Sequence, residues 1–163
     1  MLIGLISDTH DNKIKIERAV ELFNTEKVDI VLHAGDHIAP FSVDWFRPLK
    51  APLRGTAGNL DAEFAMLEKK YGENDWEFDR DILTLELEGR IALTHGTREE
   101  FVLSLAKSGE YDAVVRGHTH QRQRDLYGET LLINPGEACG YLTSTGSVAL
   151  LFMPEKEVTF VEL

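Results

Sequence analysis

A chain of 163 residues is about one domain's worth, and a globular chain of that length buries roughly 70% of the surface it exposes when unfolded. Hydrophobic residues at 43% and charged residues at 28% exclude disordered, collagenous and coiled-coil chains. Lys and Arg number 17 against 28 Asp and Glu, and the net charge of −11 argues against a nucleic-acid polymer or an anionic membrane surface as partner.

The elements follow in chain order. Residues 2–6 are a continuous apolar run, as in a strand buried on both faces. Asp11 and Asn12 offer helix caps ahead of Ile16, Ala19, Val20 and Phe23, which share one helical face. Residues 30–32 predict a second buried strand, so the chain opens with a βαβ unit. Pro40 can start a short helix with Phe41 and Trp45 on one side. A short strand runs from Leu53 and ends at Gly58, and Asp61 is a candidate cap for a helix facing Phe64, Leu67 and Tyr71 inward. Strands at 82–87 and 90–94 meet at a Glu88-Gly89 turn. Thr97 and Glu100 form a capping-box pattern ahead of a helix through Ala106, and Ala113–Arg116 reads as a strand. Strands near 121–127, 130–133, 147–152 and 157–162 look like antiparallel neighbours, with Asn134-Pro135-Gly136 as one of the turns. With no repeat or linker, the expectation is one domain, residues 1–163.

Cys139 is the only cysteine, so no disulfide framework exists and a reducing, cytoplasmic setting is expected. The apolar opening stops at Ser7-Asp8 without a basic leader, and no run of apolar residues is long enough to span a membrane.

Metal-capable residues gather at strand ends. Asp8 and His10 follow the first strand, Asp36 the second and Asn59 the third, while His95 and the His118, His120 pair follow later strands. In an open α/β sheet the carboxyl ends of parallel strands share one edge, so these seven side chains are expected to converge on one crevice. The i, i+2 pairs Asp8, His10 and His118, His120 point to one side if their loops are extended. Two carboxylates, four imidazoles and one amide are too many donors for one tetrahedral ion and suit two ions sharing a bridging carboxylate. Mixed N/O donors without thiolate suit Mn²⁺, Fe, Ni²⁺, Co²⁺ or Zn²⁺.

The ordered set Asp8-x-His10, Gly35-Asp36, Gly58-Asn59-x-Asp61, His95-Gly96 and Gly117-His118-x-His120 resembles the calcineurin-like metallophosphoesterases. It is most similar to their small single-domain archaeal and bacterial phosphodiesterases, over a stretch from Asp8 to Asn134-Pro135-Gly136-Glu137. The resemblance implies an α/β fold of two packed mixed β-sheets flanked by helices, a four-layer αββα sandwich. It implies that Asp8, His10, Asp36 and His120 hold one metal, and Asp36, Asn59, His95 and His118 the other, with Mn²⁺ or Ni²⁺ favoured. Asp36, Asn59 and His95 are the expected catalytic members. Two divalent cations against two carboxylates and a bridging hydroxide leave a locally positive pocket. Bound metal lowers the pKa of water from about 15.7 toward roughly 7–9, so the expected reaction is attack of a metal-bound hydroxide on a small phosphodiester, with some monoesters as further substrates. A homodimer or higher homo-oligomer is also implied. The alternative is a non-catalytic interaction scaffold on the same fold, which has no use for an intact donor set.

One position departs from the pattern. Many members carry His after the Asn, where it assists the leaving group; here Leu60 has no proton to give, which biases the enzyme toward good leaving groups. Asp61 or His37 are the candidate substitutes. His33 reads as a structural histidine, and Thr97 as a cap. Arg98, Arg116 and Arg122 read as solvated, Phe41, Trp45, Phe64 and Tyr71 as core, and Cys139 as a packed thiol.

Overall fold

The structure, a computed structural model, describes residues 1–163. The first apolar run is β1 (Leu2–Ile6), followed by α1 (Lys13–Glu26) and β2 (Ile30–His33). Of the two candidate caps it is Asn12 whose side chain accepts from the Lys15 backbone N–H. Ile16, Ala19, Val20 and Phe23 form the buried face of α1. A 3₁₀ helix (Pro40–Phe46), β3 (Leu53–Thr56), α2 (Phe64–Gly72) and β4 (Glu77–Asp79) complete the first half. The second half is β5 (Ile82–Leu87), β6 (Gly89–Thr94), α3 (Glu99–Lys107), β7 (Ala113–Val115), β8 (Arg122–Tyr127), β9 (Thr130–Pro135), β10 (Ser147–Phe152) and β11 (Glu157–Glu162).

The strands form two mixed sheets, ordered β11-β10-β1-β2-β3-β4 and β5-β6-β7-β9-β8. Strands β1 to β4 run parallel to one another, as do β6, β7 and β9. Ile3, Leu5, Leu32, Ile91, Leu93, Val115, Ile133 and Leu151 fill the space between the sheets. Alternate residues of the first sheet, such as Ile6 and Val31, meet α1, α2 and the 3₁₀ helix. Ala92, Val114 and Leu132 of the second meet α3. These layers are the expected αββα sandwich, and a strand covered on both faces must be apolar throughout, as β1 and β7 are.

Several local expectations change. β4 has three residues at a sheet edge, too few for a periodic signal. The C-terminal strands do pair antiparallel as β8 with β9 and β10 with β11, but the two pairs lie in different sheets. Fully buried β9 takes a central place beside β7, leaving polar β8 on the edge. Asn134 and Pro135 belong to β9, not to a turn. Asn134 is buried and donates through its amide to the Gly117 carbonyl at 2.8 Å. Neither Asp61 nor Thr97 caps its helix: α2 starts after Glu63 and α3 after Arg98, without a side-chain cap. Glu99 and Glu100 in the first turn of α3 meet the positive end of its dipole instead. Phe41 is exposed and meets Trp45 in a T-shaped contact, while Val43 and Phe46 are on the buried face of the 3₁₀ helix.

Candidate metal centre

Asp8 and His10 leave β1, Asp36 leaves β2, and Asn59 follows β3, so parallel pairing brings three loops to one end of the first sheet. His95 leaves β6, and His118 and His120 follow β7, at the end of the second sheet. The loops are tied together through their backbones. Asp8 N–H donates to the Gly35 carbonyl (3.0 Å), His10 N–H to that of Asp36 (3.1 Å) and Gly117 N–H to that of His95 (3.1 Å). His118 N–H donates across the sheets to Asp8 Oδ2 at 3.2 Å.

Five of the seven residues hold a left-handed backbone: Asp8 (φ 52°), His10 (41°), Asp36 (58°), His118 (69°) and His120 (60°). The two i, i+2 pairs are therefore tight reversals and not extended loops. Such conformations cost about 1–3 kcal/mol each and cluster where a site over-determines them. Two glycines give the room required. A Cβ on Gly58 would overlap the Asp36 carboxylate, and one on Gly117 would overlap Ser7 and Asp8.

Side-chain nitrogen and oxygen atoms of both sheets' loops converge here. Asp8, His10, Asp36 and His120 offer ligand atoms that all lie within 4.8 Å of one another. His120 Nε2 is 3.3 Å and His10 Nε2 3.9 Å from Asp8 Oδ1, and His10 Nε2 is 3.6 Å from Asp36 Oδ2. On the other side of Asp36, its Oδ2 is 3.5 Å from His95 Nε2. That nitrogen lies 3.0 Å from Asn59 Oδ1, itself 2.9 Å from His118 Nδ1. Asp36 is thus shared by both groups of donors.

The imidazoles are held by their other nitrogens. His95 Nδ1 meets the Ala34 carbonyl at 2.8 Å; a carbonyl only accepts, so Nδ1 carries a proton and the ring is held with Nε2 toward the centre. His120 Nδ1 meets the Glu137 carboxylate at 2.8 Å, with the same result. Burial would raise the Asp8 carboxyl, but His10, His95, Ser7 and His120 outweigh it and hold it below its ordinary range. The Asp8 carboxylate in turn raises His10 against the effect of burial. Burial and the neighbouring His95 lower His118.

Asp8 Oδ1 and His10 Nε2 are buried with no hydrogen-bond partner. Unmet polar atoms of this kind cost about 1–3 kcal/mol each. A divalent cation would satisfy them, and a carboxylate, imidazole and amide donor set fits such an ion.

Supporting residues hold the loops. Asp61, buried, accepts from the backbone N–H of Asp36 (3.0 Å), Ile38 (2.7 Å) and Gly58 (2.8 Å) and from His37 Nδ1 (3.1 Å). Those four donors outbid a helix cap and hold its pKa far below the carboxylate range, even though burial opposes ionisation. His37 is buried, stacked on His33 at 3.7 Å and bonded to the Tyr71 hydroxyl at 2.8 Å. Neither Asp61 nor His37 is therefore placed to replace the missing proton donor at Leu60, whose side chain is exposed. His33 is buried within β2 and bonded to Thr9, as a structural histidine should be.

Arg116 is buried, not solvated: it donates to the carbonyls of Gly96 (2.9 Å) and Gly117 (3.2 Å) and pairs with Glu99. It braces the turns after His95 and before His118. Glu137, which the sequence analysis gives no role, is fully buried. Besides His120 it receives the Leu142 N–H (2.8 Å), the Thr143 backbone and hydroxyl, and Cys139 Sγ (3.1 Å). Burial opposes its ionisation, but those donors, led by His120, bring its pKa down to about 2. It lies two residues past the end of β9, a strand parallel to β7, and that position is the signal that marks it. Thr97 points its hydroxyl toward Asn59 Oδ1 at 3.5 Å in place of capping α3.

The sequence profile of the calcineurin-like phosphoesterase superfamily domain matches residues 1–156. Phosphodiesterase MJ0936 of Methanocaldococcus jannaschii is 38% identical over 159 residues, 96% of each chain. A solved structure of an archaeal phosphodiesterase superposes with a TM-score of 0.95 at 37% identity, covering all of both chains. Zinc-bound Vps29 of Entamoeba histolytica shares the fold, with a TM-score of 0.71 at 22% identity, over 99% of this chain and 91% of its own. The chain belongs to the calcineurin-like phosphoesterase superfamily. It is an enzyme, a hydrolase of phosphate esters, and the scaffold alternative is set aside. No helix is long and apolar enough to cross a membrane.

Proposed function

We propose that the chain is a phosphodiesterase of small substrates that works with two divalent cations, Mn²⁺ or Ni²⁺ favoured. Asp8, His10, Asp36 and His120 would hold one, and Asp36, Asn59, His95 and His118 the other. When bound, the pair supplies Lewis acidity toward phosphoryl oxygens and an acidified water. The chain's part is positional. Ala34 and Glu137 hold the His95 and His120 rings with Nε2 inward, and Asp36 stands between the two groups of ligands. The Asn59 amide N–H₂ is available to a phosphate oxygen when its carbonyl faces a cation. Leu60 offers the departing oxygen no proton, so esters with acidic leaving groups are preferred.

The observation that carries this reading is the pair of partnerless buried atoms, Asp8 Oδ1 and His10 Nε2, at the centre of the donor set. The test is hydrolysis of bis-p-nitrophenyl phosphate by metal-stripped protein with each divalent ion added back, beside Asp36→Ala. Turnover is expected only with added metal and is lost in the variant. Turnover without metal, or full turnover by Asp36→Ala, overturns the proposal.

A further inference from the structure

Asn59 and His95 are also part of the wall of a cavity of about 440 Å³ that is lined by Phe64 of α2 and Phe101 of α3 as well. That volume lies within the range of ligand pockets and suits a nucleotide-sized group. Two arginines line it. Arg80 lies over the Phe64 ring at 5.3 Å and Arg98 over the Phe101 ring at 5.8 Å. Each ring restrains its guanidinium and leaves the N–H edge free, as cation–π stacking does.

In a chain of net charge −11, five of the nine arginines hold a carboxylate. These are Arg47, Arg54, Arg90, Arg116 and Arg122. Arg18, Arg80, Arg98 and Arg124 make no ion pair, but of these Arg80 and Arg98 line one cavity together, and Asp81 is the one carboxylate in its wall. The wall therefore carries a formal +1, from two arginines and one aspartate. Guanidinium groups with free forks are matched to a phosphate, which they bind bidentately.

We propose that this cavity binds a second phosphate on the same substrate, so that the preferred diester carries one nucleotide-sized arm ending in a phosphate. The proposal rests on the phosphodiesterase reading, because it takes the bond to be cleaved to lie beside Asn59 and His95. It adds a recognition element that the centre lacks: the centre engages any phosphoryl group, and the arginines choose among substrates by their second charge.

The test is calorimetric binding of adenosine 3′,5′-bisphosphate and adenosine 5′-monophosphate to the Mn²⁺-loaded protein, with phosphorus NMR to verify that both ligands stay intact. The wild type should bind the bisphosphate about tenfold more tightly or better, and the ratio should fall to about one in R80Q/R98Q. Equal affinities in the wild type, or a ratio unchanged in the variant, would overturn the assignment. Both side chains are exposed, so the variant keeps its fold. Failure of the phosphodiesterase reading would register separately, as absent turnover of bis-p-nitrophenyl phosphate, which has no second phosphate.

Discussion

The Glu137 carboxylate accepts the His120 Nδ1 proton at 2.8 Å and thereby aims His120 Nε2 at Asp8 Oδ1, 3.3 Å away. The same carboxylate gathers Leu142 and Thr143, so one buried acid positions both a donor of the centre and the loop before β10. Glu137→Gln keeps the shape but offers His120 a weaker acceptor. Divalent-metal affinity should fall about 10–100-fold, the usual effect of losing such a support. A titration with Mn²⁺ measures it, and an unchanged affinity would show that Glu137 serves only the loop.

Leu60 stands beside Asn59 with an exposed side chain and no proton to donate. Leu60→His should raise turnover of a diester with an alkyl leaving group by about 10²-fold or more, and leave p-nitrophenyl esters nearly unchanged. Equal rates for the alkyl ester in both proteins would remove Leu60 as the source of the bias.

Cys139 is buried, and burial together with the adjacent Glu137 carboxylate pushes its thiol up to about 12. The protonated form is the one favoured, so the thiolate that reacts is scarce throughout pH 7–9. Iodoacetamide should label the native protein very slowly and the urea-unfolded protein at once. Rapid native labelling would contradict this environment.

Asp112 accepts the Arg90 N–H at 2.8 Å and pairs with Lys156 at 3.2 Å, and these hold its pKa below the ordinary 3.8. A depressed carboxylate contributes stability above its unfolded pKa and loses it as pH falls through the folded value. Wild type should therefore exceed Asp112→Asn in urea stability at pH 7, and the gap should close below pH 3.8. A gap that grows on acidification would reverse the sign of this argument.

The seven candidate ligands could be picked out because each follows a strand or a glycine at a parallel strand's end, where local sequence and topology agree. The supports could not, because their roles depend on contacts distant in sequence. Asp61 has the local mark of a helix cap, yet its partners Asp36, His37 and Ile38 lie 23 to 25 residues away. Arg116 looks like any arginine at a strand end until the carbonyl of Gly96, 20 residues distant, reaches it. Glu137 was hidden by Asn134-Pro135-Gly136, which has turn composition although Pro135 is the last residue of β9. The sandwich was readable from the resemblance, but the division of the last four strands between two sheets depends on which strand is buried on both faces, and periodicity alone does not show that.

The central claim is a centre for two cations divided by Asp36. The most direct measurement is metal content per chain after Mn²⁺ loading and gel filtration, for wild type and Asp36→Ala. Two ions in the wild type and at most one in the variant are predicted. A single ion in the wild type, or two retained without Asp36, would contradict it.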